Sequence, residues 1–444
     1  MSDRCATVVG GGLAGCEAAW QLAQRGIRVT LVEMKPIKRS PAHTSDQLAE
    51  LVCSNSFRGD SLTNAVGLLK AEMRCMGSLI MRCADATSVP AGGALAVDRD
   101  AFSARVTEAV ASHPNIRLES REVTEIPSGP VVIASGPLTS EPLAEAIQRL
   151  PGLSTLHFYD AAAPIVHLDS LDQTRMFRSS RYQRGDDYLN CPMTEEEYNR
   201  FIDALLAADT APVHAFEETS VFEGCMPIES MAKRGRMVPA FGPMKPVGLL
   251  DPRTGRRPFA VVQLRQDNLE NTLYNLVGFQ TRLTFPAQRQ VFGLIPGLEH
   301  ASYARYGTMH RNTFLASPGF LNPRFEMLSR RGCFFAGQMT GVEGYVESAG
   351  SGLVAGIELA GELWDREPVN WPSWTALGAM GRYIATPNAH FQPMNCSFGL
   401  IDPLPLGPGE KRPRDKKARY EAVSARALAA IREIRALTDP AGYR

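Results

Sequence analysis

Net charge is the first thing this chain lacks. Lysine plus arginine and aspartate plus glutamate each total 47 in 444 residues, so the formal charge is zero. With no whole-molecule field to draw in a polyanion, any nucleic-acid surface has to be a local patch. Long apolar runs are missing too. None approaches the length that spans a bilayer, and Met1-Ser-Asp-Arg-Cys-Ala6 enters a folded-looking strand without a charged-then-apolar leader. These absences predict a cytoplasmic protein with no membrane partner. Cysteine occurs nine times, at 5, 16, 53, 75, 83, 191, 225, 333 and 396, but without order: there is no Cys-x-x-Cys, no Cys/His pair at zinc spacing and no disulfide framework. No metal site is expected, and most thiols should be reduced. Internal repeats and extended low-complexity runs are absent as well.

What is present is an ordinary globular composition, 44% hydrophobic and 21% charged, in a chain long enough for two domains or one with a large insertion. Cys5 to Val9 reads as a short buried strand, Leu13 to Arg25 as a helix closed by Gly26, and Arg28 to Glu33 as a second strand. Residues 36–64 look loop-like and 68–83 look like one helix. A helix over 99–111, a strand near Ile116 and an apolar strand over 131–134 follow. This alternation predicts a parallel sheet. Between about 160 and 325 the texture changes to polar, proline-rich segments with Arg/Lys clusters. A buried strand resumes at Gly332 to Gln338, a helix rich in small residues runs from Gly344 to Leu363, and a last helix is predicted near 416–437 after a proline-rich stretch.

Gly10-Gly11-Gly12-Leu13-Ala14-Gly15 fits the dinucleotide fingerprint and stands between a predicted strand and helix. Gly10 permits the tight turn, Gly12 lets backbone approach a pyrophosphate, and Gly15 lets helix and strand pack closely. The helix N-terminus offers free N–H groups and a positive dipole to the phosphates. Glu33, at the end of the second strand, is placed to accept from a ribose hydroxyl. Gly337 and Gln338, at the late strand before a glycine-rich helix start, favour FAD over NAD by analogy of fold. The predicted fold class is therefore α/β: a Rossmann-like FAD-binding domain of the glutathione-reductase type in two parts, 1–160 and 326–444, around an inserted α/β domain, 161–325.

Two cysteines stand out by their surroundings. Cys53 lies in the polar segment Glu50-Leu-Val-Cys-Ser-Asn-Ser-Phe-Arg58. Cys225 lies in Phe222-Glu-Gly-Cys-Met-Pro-Ile-Glu229, a turn constrained by glycine and proline, and the nearby Lys233 and Arg234 favour a thiolate. Read by itself, each is equally a small buried hydrophobe.

These two segments, together with Gly10 to Ala19, Ala96-Val-Asp-Arg99 and Gly337-Gln-Met-Thr-Gly-Val-Glu-Gly-Tyr-Val-Glu-Ser348, give the chain its resemblance to the folate- and FAD-dependent tRNA (uracil-5-)-methyltransferases, the TrmFO family, related in turn to the GidA-type FAD proteins. The resemblance implies that a one-carbon unit passes from 5,10-methylenetetrahydrofolate by way of reduced FAD to C5 of the T-loop uridine of tRNA and is reduced there to methyl, with NADPH or NADH restoring the flavin. It also gives the cysteines a purpose. Uracil C5 is a poor nucleophile until a thiolate adds to C6. On the family pattern Cys225 is that nucleophile and Cys53 works beside the flavin, as base or guard, with the two roles exchangeable. Glu343, Tyr345 and Glu347 are expected near the flavin.

On the same reading, the inserted segment binds substrate and RNA. Its candidate phosphate contacts are Arg175, Arg178, Arg181 and Arg184, then Lys233, Arg234, Arg236 and Lys245, then Arg253, Arg256 and Arg257, joined by Lys411, Arg412, Arg414, Lys416, Lys417 and Arg419 in the tail. Each run alone is equally an ordinary solvated face. Three other readings fit the residues: the same chemistry on a ribosomal RNA uridine, a flavin thiol oxidoreductase cycling Cys53 and Cys225, and a non-catalytic flavin-stabilised RNA-binding protein. No required protein partner is evident.

Overall fold

A computed structural model describes residues 4–40, 42–153, 155–161, 163–183, 185–211, 226–388, 391–405 and 415–443. Its first sheet has five strands in the order Cys333–Phe335, Val131–Ile133, Cys5–Val9, Arg28–Glu33 and Ile116–Ser120, every neighbouring pair parallel. The three inner strands are valine-rich because both faces are covered. Val8, Leu31, Val132 and Phe334 are fully buried, as the interior of a parallel sheet requires. The edge strand Ile116–Ser120 is more polar and mostly exposed.

Helix Leu13–Gln24 crosses this sheet and packs on helix Tyr345–Leu363. Small residues set the distance between the two. A Cβ on Gly352 would stand 2.1 Å from the Ala14 carbonyl oxygen and one on Gly356 2.7 Å from that of Ala18, so the helices meet nearly backbone to backbone. The C-terminal helix Lys416–Leu437 starts where the sequence predicts, with Asp415 accepting from the amides of Lys417 and Ala418. Arg99–Ala111 likewise matches, capped by Asp98.

Two local expectations are corrected. The single helix over 68–83 is two, Ala65–Cys75 and Leu79–Ala86, broken where Gly77 takes φ +75° and Ser78 caps the second by accepting from Met81 N. Apolar periodicity runs through the break, but glycine after a helix and serine before the next are stop and start signals. The segment 36–64 is not all loop. Ser56–Gly59 pairs with Ala94–Val97, which pairs in turn with Ser88–Val89 in a small antiparallel sheet. Strands this short carry too little alternation to be seen.

A second large sheet has six strands, in the order Phe177–Arg178, Tyr188–Met193, Ala260–Gln266, Leu273–Leu276, Ile165–His167 and Tyr303–Arg305, all antiparallel. Helices Glu195–Ala207 and Phe285–Phe292 cover one face, and Tyr198, Phe201, Phe279 and Phe292 are buried in a core of its own. The paired strands Thr155–Ala161 and Met309–Leu315 carry the chain into this lobe and back. Among the described residues no helix is long and apolar enough to cross a membrane.

Candidate active site

A cleft opens at the C-terminal ends of the parallel strands, where a doubly wound sheet places its ligand. Gly10, Gly11, Gly12, Leu13 and Ala14 form its floor, Glu33 and Ser135 its sides, and Gly337, Gln338, Tyr345 and Ser348 its far wall. All the glycines of the turn, Glu33, Gly337 and Gln338 are thus brought together, except that Gly15 lies behind the wall rather than in it.

Gly10 and Gly15 are each needed for a separate steric reason. Gly10 has φ +103°, and its Cβ would meet the Ala134 carbonyl oxygen at 2.5 Å; a Cβ on Gly15 would come within 1.8 Å of the Gly10 carbonyl oxygen. Gly12 differs: a Cβ there would meet nothing within 4 Å. The space it guards belongs to the cleft. No side chain caps helix Leu13–Gln24, whose first turn therefore directs unpaired N–H groups and the positive dipole end into the cleft. Helix Tyr345–Leu363 also lacks a side-chain cap, and Tyr345 and Ser348 of its first turn line the opposite wall.

Glu33 already has partners: its carboxylate accepts from Gly11 N at 2.6 Å and from Lys35 N at 3.0 Å. It therefore braces the turn as well as facing the cleft. Gln338 donates to both carboxylate oxygens of Glu343, at 2.9 and 2.8 Å, and the Gly337 amide donates to Ser351 Oγ at 2.7 Å. Glu347 is engaged elsewhere, paired with Arg58 and accepting from Cys396 N at 2.8 Å. Of the three residues expected near a flavin, only Tyr345 stands in the wall.

The Cys53 loop is fastened to that wall. The Tyr345 hydroxyl oxygen accepts from Cys53 N at 2.8 Å and Ser54 N at 3.2 Å, and Val52, the preceding residue, lines the cleft. Burial raises the Tyr345 pKa, with Cys53 adding to the shift. Arginines surround the loop. Arg99 donates to Leu51 O at 2.6 Å and pairs with Asp267 at 2.9 Å, while Arg265 donates to Ser54 Oγ at 2.8 Å and Asn55 Oδ1 at 3.0 Å. Burial weakens the Arg99 cation, yet Asp267 and the Tyr345 and Cys53 oxygen and sulfur bring its pKa above the ordinary value. Burial pulls Arg305 down, with Tyr345, Glu50 and Cys53 opposing.

Five other described cysteines differ, whereas Cys75 is half-buried and Cys5 exposed. Cys16, Cys83, Cys191, Cys333 and Cys396 are buried, and burial pushes every one of these thiols up, Cys83 and Cys333 to about 11. Cys53 is half-buried. Cys225 lies outside the described residues, as do Arg184, Lys411, Arg412 and Arg414. Sequence reasoning missed Arg265 and Arg305, for which no local pattern exists. Arg99 was within a quoted motif, and that motif was its signal.

Most of the proposed phosphate contacts among the described residues are engaged with protein partners. Arg175 pairs with Glu197 and Glu299, Arg178 donates to Tyr274 Oη, Arg181 to Gln263 and two carbonyls, Arg236 pairs with Asp203 and Arg253 with Asp251. Lys417 pairs with Glu421, and Lys416 and Arg419 lie over the Tyr420 ring. Lys233, Lys245, Arg256 and Arg257 are exposed. Among the described residues no cluster of His, Cys, Asp or Glu is arranged to hold a metal ion.

Comparison with known proteins agrees with this architecture. The family model described as "Glucose inhibited division protein A" matches residues 6–367. The structure of Aquifex aeolicus GidA in its form II crystal superposes with a TM-score of 0.71 over 98% of this chain and 74% of that one, at 17% identity, a likeness that shows the fold alone. Two relatives bearing the name methylenetetrahydrofolate--tRNA-(uracil-5-)-methyltransferase TrmFO are far more similar. That of Anoxybacillus flavithermus is 59% identical over 427 residues, 96% of this chain and 98% of its own, and that of Halalkalibacterium halodurans 57% over 433 residues, 97% and 98%. The chain belongs to the GidA family and, within it, to the TrmFO proteins.

Proposed function

We propose that this chain methylates C5 of a tRNA uracil, taking the one-carbon unit from 5,10-methylenetetrahydrofolate, with FAD in the glycine cleft, NADPH or NADH as reductant, the T-loop uridine as target and the cytoplasm as its place of action. The observation that carries the reading is the fastening of the Cys53 loop to Tyr345, the first residue of the helix that closes the cleft. A thiol is thereby held beside the space a dinucleotide would fill.

The residues fit that group. Open space over Gly12, the uncapped helix N-terminus and the backbone-lined floor suit a pyrophosphate, and Glu33 retains lone pairs for a ribose hydroxyl. Gly10, Gly11, Gly12, Leu13, Ala14 and Gly15 form or support the floor, and Gly337 and Gln338 the end near the isoalloxazine. Bound there, FAD supplies a reducing electron pair and a nucleophilic nitrogen suited to one-carbon chemistry. The protein's own share is nucleophilic and acid–base. The Cys225 thiolate would add to uracil C6 and make C5 nucleophilic toward the one-carbon unit; once that unit is bonded to C5, Cys53 would take the C5 proton as the bond from the unit to its donor nitrogen breaks, hydride from the reductant would convert the resulting methylene to methyl, and loss of Cys225 from C6 would restore the ring.

Mass analysis of RNA after reaction with labelled methylenetetrahydrofolate and NADPH tests the reading. Label should appear as 5-methyluridine in the T-loop fragment of tRNA; label confined to ribosomal RNA would overturn the substrate. Wild-type protein should also capture 5-fluorouracil-containing tRNA covalently and Cys225→Ala should not. Continued capture by that variant would reassign the nucleophile.

A further inference from the structure

Residues 228–257 carry seven Lys/Arg against two acids in a chain whose net charge is zero. Glu229 is buried against Thr281 and Arg282, and Asp251 is taken by Arg253, so neither acid is left for the other cations of the stretch. Exposed Lys233, Lys245, Arg256 and Arg257 have no ion pair among the described residues. The same stretch exposes large apolar side chains. Of fifteen exposed large hydrophobics among the described residues, five are Met237, Val238, Phe241, Val247 and Leu250, with Phe241 79% and Leu250 62% exposed.

A sixth, Tyr182, is 60% exposed and joins them in space. Its amide donates to Gly248 O at 3.0 Å, and a Cβ on Gly248 would touch its ring at 3.0 Å. Tyr182 sits at φ 61°, ψ 33°, a left-handed conformation unfavourable for a side-chain-bearing residue. Strained backbone thus holds an aromatic ring in water. Such a ring and Phe241, in a field of unpaired cations, match neither a protein core nor an ordinary solvated face.

A line of side-chain contacts runs from the neighbour of Tyr182 toward the Cys53 loop. Arg181, next to Tyr182, donates to Gln263, and Arg265, two residues along the same strand and on the same face, donates to Ser54 beside Cys53. Two residues of strand span about 7 Å.

We propose that the exposed side chains Tyr182, Phe241 and Leu250, together with the cations Lys233, Lys245, Arg256 and Arg257 of the same stretch, act as a docking shelf for an RNA loop, on which unpaired bases stack while the cations follow the phosphates. It rests on the tRNA reading above and names the surface that reading leaves open. Stacking on aromatic side chains suits bases already unpaired, and a paired stem offers none.

The test measures binding of the FAD-loaded full chain to a T-arm stem–loop and to a blunt duplex of the same stem. Phe241→Ala and Tyr182→Ala should each weaken stem–loop binding at least about fivefold and leave duplex binding and the salt dependence of binding unchanged, with Phe241→Trp restoring affinity. The double variant Lys245→Gln, Arg256→Gln should instead flatten the salt dependence for both RNAs. FAD absorbance per chain establishes that each variant is folded. Unchanged stem–loop affinity in both aromatic variants would overturn the proposal, as would a concentration-dependent dimer in sedimentation that Phe241→Ala dissociates, which would assign the shelf to a second copy. Failure of the wild type to methylate tRNA while the shelf still binds the stem–loop would count against the function and not against the shelf.

Discussion

Gly12 and Gly15 occupy equivalent-looking places in one fingerprint, yet a methyl group added to each meets different matter. At Gly15 it would strike the Gly10 carbonyl oxygen, so Gly15→Ala must push helix Leu13–Gln24 off its strand. At Gly12 the backbone has φ −76°, which any residue adopts, and the added Cβ enters open space. Gly12→Ala should therefore leave the stability of the FAD-free protein within about 0.5 kcal/mol of wild type while weakening FAD at least about tenfold. Gly15→Ala should lower both, by about 1–3 kcal/mol in stability. Denaturant unfolding of FAD-free protein, paired with flavin titration, separates the two. Equal FAD affinity in Gly12→Ala would mean that the open space is not where the pyrophosphate lies.

Helices in the first lobe are tied together by carboxylates reaching from one helix to the start of another. Glu17 accepts from Ser78 Oγ at 2.6 Å and from Ile80 N at 3.0 Å, and Glu72 from Ala376 N at 2.7 Å and Leu377 N at 2.9 Å. Glu72 is buried, and burial pushes its carboxyl up to about 8 against the pull of the two N–H donors. Its folded pKa thus lies above the unfolded value of about 4.3. Its stabilising share is complete below pH 4, and it is lost as pH rises through 8. The wild-type denaturation midpoint should accordingly fall between pH 5 and 8 more steeply than that of Glu72→Gln, which cannot titrate; parallel pH profiles would show that the carboxyl ionises at its ordinary value. Such caps explain what was legible at this scale and what was not. Buried valine runs, the glycine turn and the cap at Asp415 are local signals, and the parallel strands and the last helix could be read from them. The start of helix Ala376–Ala385 is capped locally by Thr375 but also by a carboxylate 304 residues away, and the break at Gly77 is reinforced by one 61 residues away. No window of sequence contains both partners.

At the scale of the whole molecule, the Cys53 loop is where the two large sheets meet. Asn55 donates to Val97 O in the first lobe at 3.0 Å and to Gln266 O in the second at 2.9 Å, Arg99 pairs with Asp267, and Asp98 accepts from Leu269 N at 2.8 Å. The cleft itself was legible because one fingerprint encodes it, whereas the joint was not, because its partners are polar residues scattered over more than 200 positions. Arg265 reaches the loop from the second sheet with its side chain, and it is not among the residues that line the cleft. It is 6% exposed, and burial pulls its pKa down, with Tyr188 and Asp267 opposing. Arg265→Met would fill similar volume and leave Ser54 Oγ and Asn55 Oδ1 without this donor, destabilising the protein by about 1–3 kcal/mol. FAD should stay bound, since its floor is untouched. If the joint sets the place of Cys53, methylation should fall at least about tenfold in kcat at saturating tRNA, because a displacement of about 1 Å in a reacting group is enough to slow a reaction by two orders of magnitude. A variant that keeps full kcat with FAD bound would show that the loop is placed without Arg265, by Tyr345 through its bonds to Cys53 N and Ser54 N and by the Asn55 and Arg99 bonds.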